Sequence, residues 1–358
     1  MKFCLLLPML LCQSVLLAQT ENAKSPLTFS GYVETYYGYD FGNPSDHNRP
    51  GFIYSFNRHN EVNLNLGFVK AAFSKENLRS NLALMAGTYP NANLSTEPGV
   101  LRNILEANVG IKISKSKNLW IDAGVFGSHI GFESATGKGC WNLTRSLGAE
   151  NSPYYESGLK ISYSSDNGNW FLSALLLNGW QRIQRVEGNN TPAFGHQLTY
   201  KPNDNVTFNS SSFIGNDKPD TVRQMRYFHD LYGIFQISPK LAITAGFDFG
   251  MEQTAKGSRE YNTWYTPVLI LRFAASPKTN IALRGEYYRD ENEVIISTGT
   301  HNGFQTWGYS VNIDYSISEH LLWRVEARGF NSKEAIFTRR GNATRDNFML
   351  ATSLAISF

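Results

Sequence analysis

The sequence predicts an all-β protein, a single closed antiparallel transmembrane β-barrel of about sixteen strands with short turns at one end and long loops at the other. Three observations carry this reading: a punctuated chain, an alternation of apolar and polar residues between the punctuation marks, and aromatic rings gathered at one level. The punctuation consists of short polar clusters: "SKENL" (74–78), "SKSKNLW" (114–120), "SDNGNW" (165–170), "PNDNV" (202–206), "SPKLA" (238–242), "SPKTNI" (276–281) and "SEHLLW" (318–323). Each is rich in residues that make tight turns and is flanked by alternating runs, so each reads as a hairpin tip. Between successive tips lie longer, Gly- and charge-bearing connections, such as 42–58, 91–103, 130–152, 181–191 and 332–344. Counted from Thr28, seven tight turns and eight long loops join sixteen strands and leave both chain ends on the short-turn side.

The last strand shows the alternation plainly. In "LATSLAISF", Leu350, Leu354, Ile356 and Phe358 share one face with Thr352, while Ala351, Ser353, Ala355 and Ser357 share the other. A terminus this apolar needs an anchor, and pairing with the first strand near "LTFSGYVETYYGYDF" (27–41) supplies one. Closure also satisfies the backbone donors and acceptors, which an open sheet in lipid cannot do. Phe73, Trp120, Tyr163, Trp170, Tyr200, Phe208, Phe273, Tyr315, Trp323 and Phe358 all lie within a few residues of a short turn or the terminus, which predicts an interfacial girdle. A terminal aromatic on such a strand also resembles the signal by which outer-membrane barrels are recognised for assembly.

Composition agrees. The 358 residues include 30 Gly, and 13% are aromatic (18 Tyr, 23 Phe, 7 Trp), yet mean hydropathy is negative. Basic and acidic residues nearly cancel, 33 against 30, which provides no field for nucleic acid. Residues 1–18 read as a secretory signal peptide with a cleavable small residue at Ala18, and 19–358 as the barrel domain. Leu11 before Cys12 is too large for a lipoprotein signal. Without Cys4 and Cys12, Cys140 is alone and no intramolecular disulfide can form.

The second face of the strands carries charge. On 321–329, Leu322, Arg324, Glu326 and Arg328 oppose Leu321, Trp323, Val325 and Ala327. A basic residue facing lipid costs ~2–4 kcal/mol at mid-bilayer, so this row is expected inside. The same logic places Glu34, Glu61, Glu106, Lys112, Asp122, Glu156, Lys160, Asp248, Arg272, Arg284, Glu286 and Asp314 inside. A sixteen-stranded lumen is too wide to be filled by wall side chains and is expected to hold water. The longest connection, "GFESATGKGCWNLTRSLGAENSP" (131–153), joins strands five and six. Its position and length are similar to those of the loop that narrows the pore of sixteen-stranded porins. On this reading Glu133, Arg145 and Glu150 face Arg284, Arg324 and Arg328, with Glu286 and Glu326 on the same wall, across a constriction. The bland alternative is that the loop charges only solubilise an outer surface.

Chemical motifs are weak. "GFESATGKG" misses phosphate-loop spacing and lacks the required Ser or Thr; Ser128 and His129 are strand neighbours pointing to opposite faces. The histidines, among them His196, His229 and His320, show no metal-ligand spacing, and HExxH is absent. No cofactor, metal or catalytic residue is expected. An adhesive or structural barrel, and a barrel hydrolase with Ser and His on its lipid-facing wall, are the alternatives.

Three stretches, "DAGVFGSHIGFES" (122–134), "NLTRSLGAENSPYYESGLKISY" (142–163) and "LLNGWQRI" (176–183), resemble the OmpL-like family of β-barrel porins. The resemblance covers nearly all of the mature chain. It implies an outer-membrane location and passive transport of small hydrophilic solutes, and carries over no catalytic or substrate-binding residue. Lipid and solutes are the expected partners, both termini are expected in the periplasm, and a homotrimer is compatible with this reading.

Overall fold

A computed structural model of the chain describes residues 25–358. The proposed signal peptide, with Cys4 and Cys12, lies outside the described residues. Sixteen strands close into one antiparallel barrel: β1 (Leu27–Asp40), β2 (Val62–Lys75), β3 (Leu78–Ala86), β4 (Ile104–Lys112), β5 (Asn118–Gly127), β6 (Tyr155–Ser164), β7 (Trp170–Leu177), β8 (Ala193–Asn203), β9 (Val206–Asn216), β10 (Met225–Gln236), β11 (Leu241–Gln253), β12 (Tyr261–Ala274), β13 (Thr279–Asp290), β14 (Phe304–Ser316), β15 (Leu321–Ser332) and, after a small hairpin of β16 (Phe337–Arg339) and β17 (Asn342–Thr344), β18 (Asp346–Ser357). Every barrel strand pairs with its chain neighbours, and every predicted tight turn sits between two of them.

Closure joins β1 to β18, in register from Tyr32 opposite Ser357 to Asp40 opposite Met349. Beyond the last strand residue, Gly31 N donates to Phe358 O at 2.8 Å and Phe358 N to Gly31 O at 3.1 Å, so the terminal residue is held by the ladder. The Phe358 ring lies directly over Gly31, where any Cβ would collide with it. Position 31 therefore has to be glycine for the ring to lie flat against the outer wall.

Burial follows the two-residue period. Leu350, Leu354 and Ile356 are exposed to the outside and Ala351, Ser353 and Ala355 are buried inside. The lower girdle forms as expected, with Trp170 stacked on Tyr200 at 4.1 Å between ring centroids and Phe208 edge-on to Phe235 at 5.5 Å. Trp120 departs from it. Trp120 shares the face of Asp122, opposite Lys112, and its ring receives the Arg79 guanidinium at 4.2 Å, so it lines the interior. Nearness to a turn selects a level, whereas parity along the strand selects the face. A second aromatic level, not anticipated from the turns, occupies the long-loop end, where Tyr287 lies 4.7 Å from Trp307 and Tyr227 lies 6.0 Å from Tyr261. Glu61, expected on the wall, falls just outside β2 and pairs with Arg58 at 2.7 Å.

The interior is fuller than sixteen strands alone require. The first three long loops turn inward. Phe52 and Ile53 of the first pack among Phe304, Phe330 and Phe337. A short helix α1 (Thr88–Asn93) in the second places Tyr89 and Leu94 against Tyr154, Tyr32 and Leu66. The third contributes helix α2 (Leu147–Glu150) and the buried Leu143 and Leu147. The expected narrowing of a water-holding lumen by the third loop is joined by the first and second loops, whose apolar side chains also pack inside the barrel.

Leu283 is outward-facing and exposed at mid-strand on β13. Leu283→Arg is expected to destabilise the folded barrel in vesicles by about 2–4 kcal/mol, measured by reversible denaturant unfolding.

Candidate functional site: a charged wall gripping an inward loop

Two strands supply the charges. The alternation of β15 puts Arg324, Glu326 and Arg328 on one inward face, and that of β13 does the same for Arg284 and Glu286. Between them runs β14, whose inward positions Gly308, Ser310 and Asn312 are small or short. Charges of β13 and β15 therefore reach each other across the intervening strand. Arg284 Nη2 donates to Glu326 at 2.9 Å, and Arg328 Nη2 to Glu286 at 2.8 Å. Gly308 is required for this, since a Cβ there would come within 2.6 Å of Glu286 Oε1. Arg324 pairs with Asp314 of β14 through two bonds of 2.7 and 2.9 Å.

The remaining donors and acceptors of this row hold the third loop. Glu326 accepts from Thr144 N at 2.6 Å, and Glu286 accepts from Leu147 N. Arg284 donates to Thr144 O at 2.8 Å and Arg328 to Thr144 Oγ1 at 3.1 Å. Arg324 donates to Gly137 O and Cys140 O, both at 2.8 Å. Asn312 adds a bond from Leu143 N at 3.0 Å. A segment buried without strand partners must satisfy its backbone somewhere, and here the wall side chains do it.

The predicted loop residues divide by role. Glu133 lies 3.8 Å from Arg284 and accepts from Ser146 N at 2.9 Å. Arg145 turns back into its own loop, donating to Ser134 O and Leu143 O at 2.7 Å and to Ala135 O at 3.1 Å. Glu150 ties the third loop to the first, accepting from Tyr54 N at 2.9 Å and Ser55 N at 3.0 Å. Burial pushes its carboxyl up to about 7, and those two backbone donors and the distant Arg328 only partly oppose the shift. All eight predicted residues thus lie at or beside one loop-to-wall contact, and all are buried. Of the charges that read as unpaired on the sequence, Arg284, Glu286, Arg324, Glu326 and Arg328 are paired across the wall, Arg145 and Glu150 are engaged by backbone groups, and Glu156 is buried without a partner. Thr144, Asn312 and Asp314 share the contact without having been singled out in it; the even-numbered polar run Ser310, Asn312, Asp314 was the available signal.

Cavities remain on both sides of the loop. On the short-turn side lie one of about 490 Å³, lined by Trp141, Arg272, Lys278 and Asp314, and one of about 400 Å³, lined by Lys70, Glu106, Phe132 and Tyr154. On the long-loop side lies one of about 240 Å³ beside Glu150, Trp180 and Arg226. The last ends at Asn151 and Ser152, and the 400 Å³ cavity begins at Pro153 and Tyr154. Lys70 and Glu106, a partly exposed wall pair at 2.8 Å, border the 400 Å³ cavity. Among the described residues no group of metal-ligating side chains forms.

Removing one partner of a buried pair strands the other. Arg324→Ala, which leaves Asp314 and two loop carbonyls unmatched, is expected to cost about 3–5 kcal/mol. Arg289→Ala, which breaks an exposed pair with Glu291, is expected to cost less than about 1 kcal/mol in the same unfolding assay.

Comparison with known proteins follows the fold. The structure is similar to an anion-selective porin from Comamonas acidovorans (TM-score 0.62, 9% identity, covering 94% of this chain and 100% of that one). It is also similar to the outer membrane channel DcaP of Acinetobacter baumannii (0.60, 10%, 93% and 97%) and to OmpT, an outer membrane protein of Vibrio cholerae (0.59, 10%, 95% and 100%). At such identities the likeness is one of fold. No protein of curated function matches the sequence. Residues 26–358 do match the family described as "Putative beta-barrel porin-2, OmpL-like", and with nearly the whole barrel covered, the chain belongs to that porin family of outer-membrane barrels.

Proposed function

We propose that the barrel is a passive channel for small hydrophilic solutes or ions, in which the third loop forms the constriction. One observation carries this reading. The loop is fixed inside the lumen by Arg284, Glu286, Arg324, Glu326 and Arg328 together with its own Glu133, Arg145 and Glu150, while cavities persist above and below it. A plug meant only to fill the barrel has no use for polar space on either side. The segment Asn151–Tyr154, wedged between those cavities and backed by Tyr89 at 5.6 Å from Tyr154, is the place where a passage opens. The reading extends to an exported chain whose residues 1–18 are removed, short turns and both termini in the periplasm, and long loops outside. OmpT is known in a trimer form, and a homotrimer is the assembly we propose for testing here. No catalytic activity is proposed: the charges that meet the third loop on β13 and β15 are engaged in pairs and in loop anchoring.

Single-channel recording on purified protein in planar bilayers tests the channel directly. Stepwise conductance, altered at least twofold by Arg324→Ala or Glu133→Ala, is expected; absence of any conductance, or liposomes that fail to swell in small sugars, would leave an adhesive or structural barrel. The Glu150 carboxyl adds a pH dependence. Its folded value, about 7, lies above its ordinary 4.5, so its contribution to loop docking is fully present below about pH 4.5 and lost as pH rises through 7. Conductance is expected to fall between pH 7.5 and 5 and to lose this dependence in Glu150→Gln.

A further inference from the structure

The outer wall carries a polar row where apolar residues are the rule. His196 of β8, Ser210 and Ser212 of β9 and His229 of β10 occupy outward positions, and Ser212 stands directly opposite both His196 and His229 in the strand register. The side chains are within bonding distance: Ser212 Oγ to His196 Nδ1 at 2.5 Å, His196 Nε2 to Ser210 Oγ at 3.4 Å, and Ser210 Oγ to His229 Nε2 at 3.2 Å. One set of tautomers satisfies all three, running from the Ser212 hydroxyl to His229. The row has a definite depth. Tyr227 of the upper aromatic level stands one outward position above His229, and Phe208 of the lower girdle stands two outward positions below Ser212. With ~3.4 Å per residue and a tilt near 40°, one outward step is about 5 Å along the membrane normal. The row thus sits just inside the upper interface, at the level where acyl chains join their polar backbone.

Directly below it a groove of about 420 Å³ is cut into the same wall, lined by Leu198, Phe208, Ser210, Leu231, Ala245 and Phe247. Ala245 keeps its floor low, and the Phe235 ring lies over Gly233, the partner of Ala245, at its edge. The volume falls within the ordinary range of ligand pockets, roughly 300–1,000 Å³. We propose that this face is a binding site for one ester-linked lipid of the leaflet on the long-loop side, its acyl chain in the groove and its ester carbonyl at the Ser212, His196 and His229 row. Apolar groove and polar row are each matched by one part of such a lipid. The site binds without hydrolysing: β8, β9 and β10 are interior members of the sheet, so the ladder engages the backbone N–H groups around Ser212 and leaves no donor pair for a tetrahedral oxyanion.

Native mass spectrometry of the detergent-purified barrel, with dimyristoyl phosphatidylethanolamine as the probe, tests this. Wild type is expected to retain one lipid through detergent exchange. Ala245→Trp, which fills the groove, and Ser212→Val, which removes the hydroxyl at near-constant size, are each expected to lower retention at least tenfold; Val69→Phe, at an exposed outward position of β2 on the far wall, is the control. An ether-linked analogue of the probe is expected to bind wild type several-fold more weakly and Ser212→Val no differently from the ester lipid. Heat-modified gel mobility reports barrel folding, and Ser212→Val carries the test if the tryptophan variant does not assemble. Equal retention by all variants would overturn the proposal. So would an oligomer that Ala245→Trp dissociates with lipid retention unchanged, because that outcome assigns the face to a second copy of the chain.

Discussion

A peptide group in hydrocarbon has no water to bond to, and each one left unmatched costs several kcal/mol. That constraint makes closure of β1 on β18 the contact from which the other features follow. An open edge would leave a whole ladder of donors and acceptors in lipid, so the first and last strands have to find each other in register. The terminal phenylalanine takes part twice: its backbone extends the ladder by one pair, and its ring covers the glycine opposite.

Closing sixteen strands creates a second problem on the inside. The space is wider than wall side chains can fill, and the loops that enter it bring buried peptide groups of their own. The charged row of β13 and β15 answers both needs. Each arginine spends part of its guanidinium on a wall carboxylate and part on a loop carbonyl or hydroxyl, and each glutamate does the same with loop N–H groups. Pairing reduces the cost of burying charge, while the leftover hydrogen-bonding capacity supplies the loop with the partners that a strand would otherwise provide. The small residues of β14 let this happen over three strands at once. Space left beside the loop is bordered by charged residues on both sides, Arg272 and Asp314 or Lys70 and Glu106 on the short-turn side and Glu150 with Arg226 on the other, which is the geometry expected of a constriction more than of a filler.

The strand count, the alternation of short turns and long loops, the closing pair and the inward set of charges were all legible beforehand, because each depends only on the two-residue period and on local turn chemistry. Trp120 and Glu61 mark where that legibility ends. Trp120 is near a turn, as girdle residues are, but its parity aims it at Arg79; Glu61 alternates in phase with the wall, but the strand begins one residue later. The inward course of the first two long loops was also unannounced. Phe52, Tyr89 and Leu94 carry no period of their own, so nothing local shows that their apolar surface is spent inside the barrel.

By itself the sequence determined that the chain forms a lipid-facing, charge-lined cylinder, since facing is set by neighbours two residues away. Only the tertiary structure decided which charges meet: Arg284 with Glu326 and Arg328 with Glu286, each pair 42 positions apart, and Arg284, Glu326 and Arg328 with Thr144, more than one hundred positions away. It likewise decided that Ser212 lies between His196 and His229 on the outer wall. Those partners depend on strand register and on the small residues of an intervening strand, and a pairing between distant segments has no trace in the local pattern of either one.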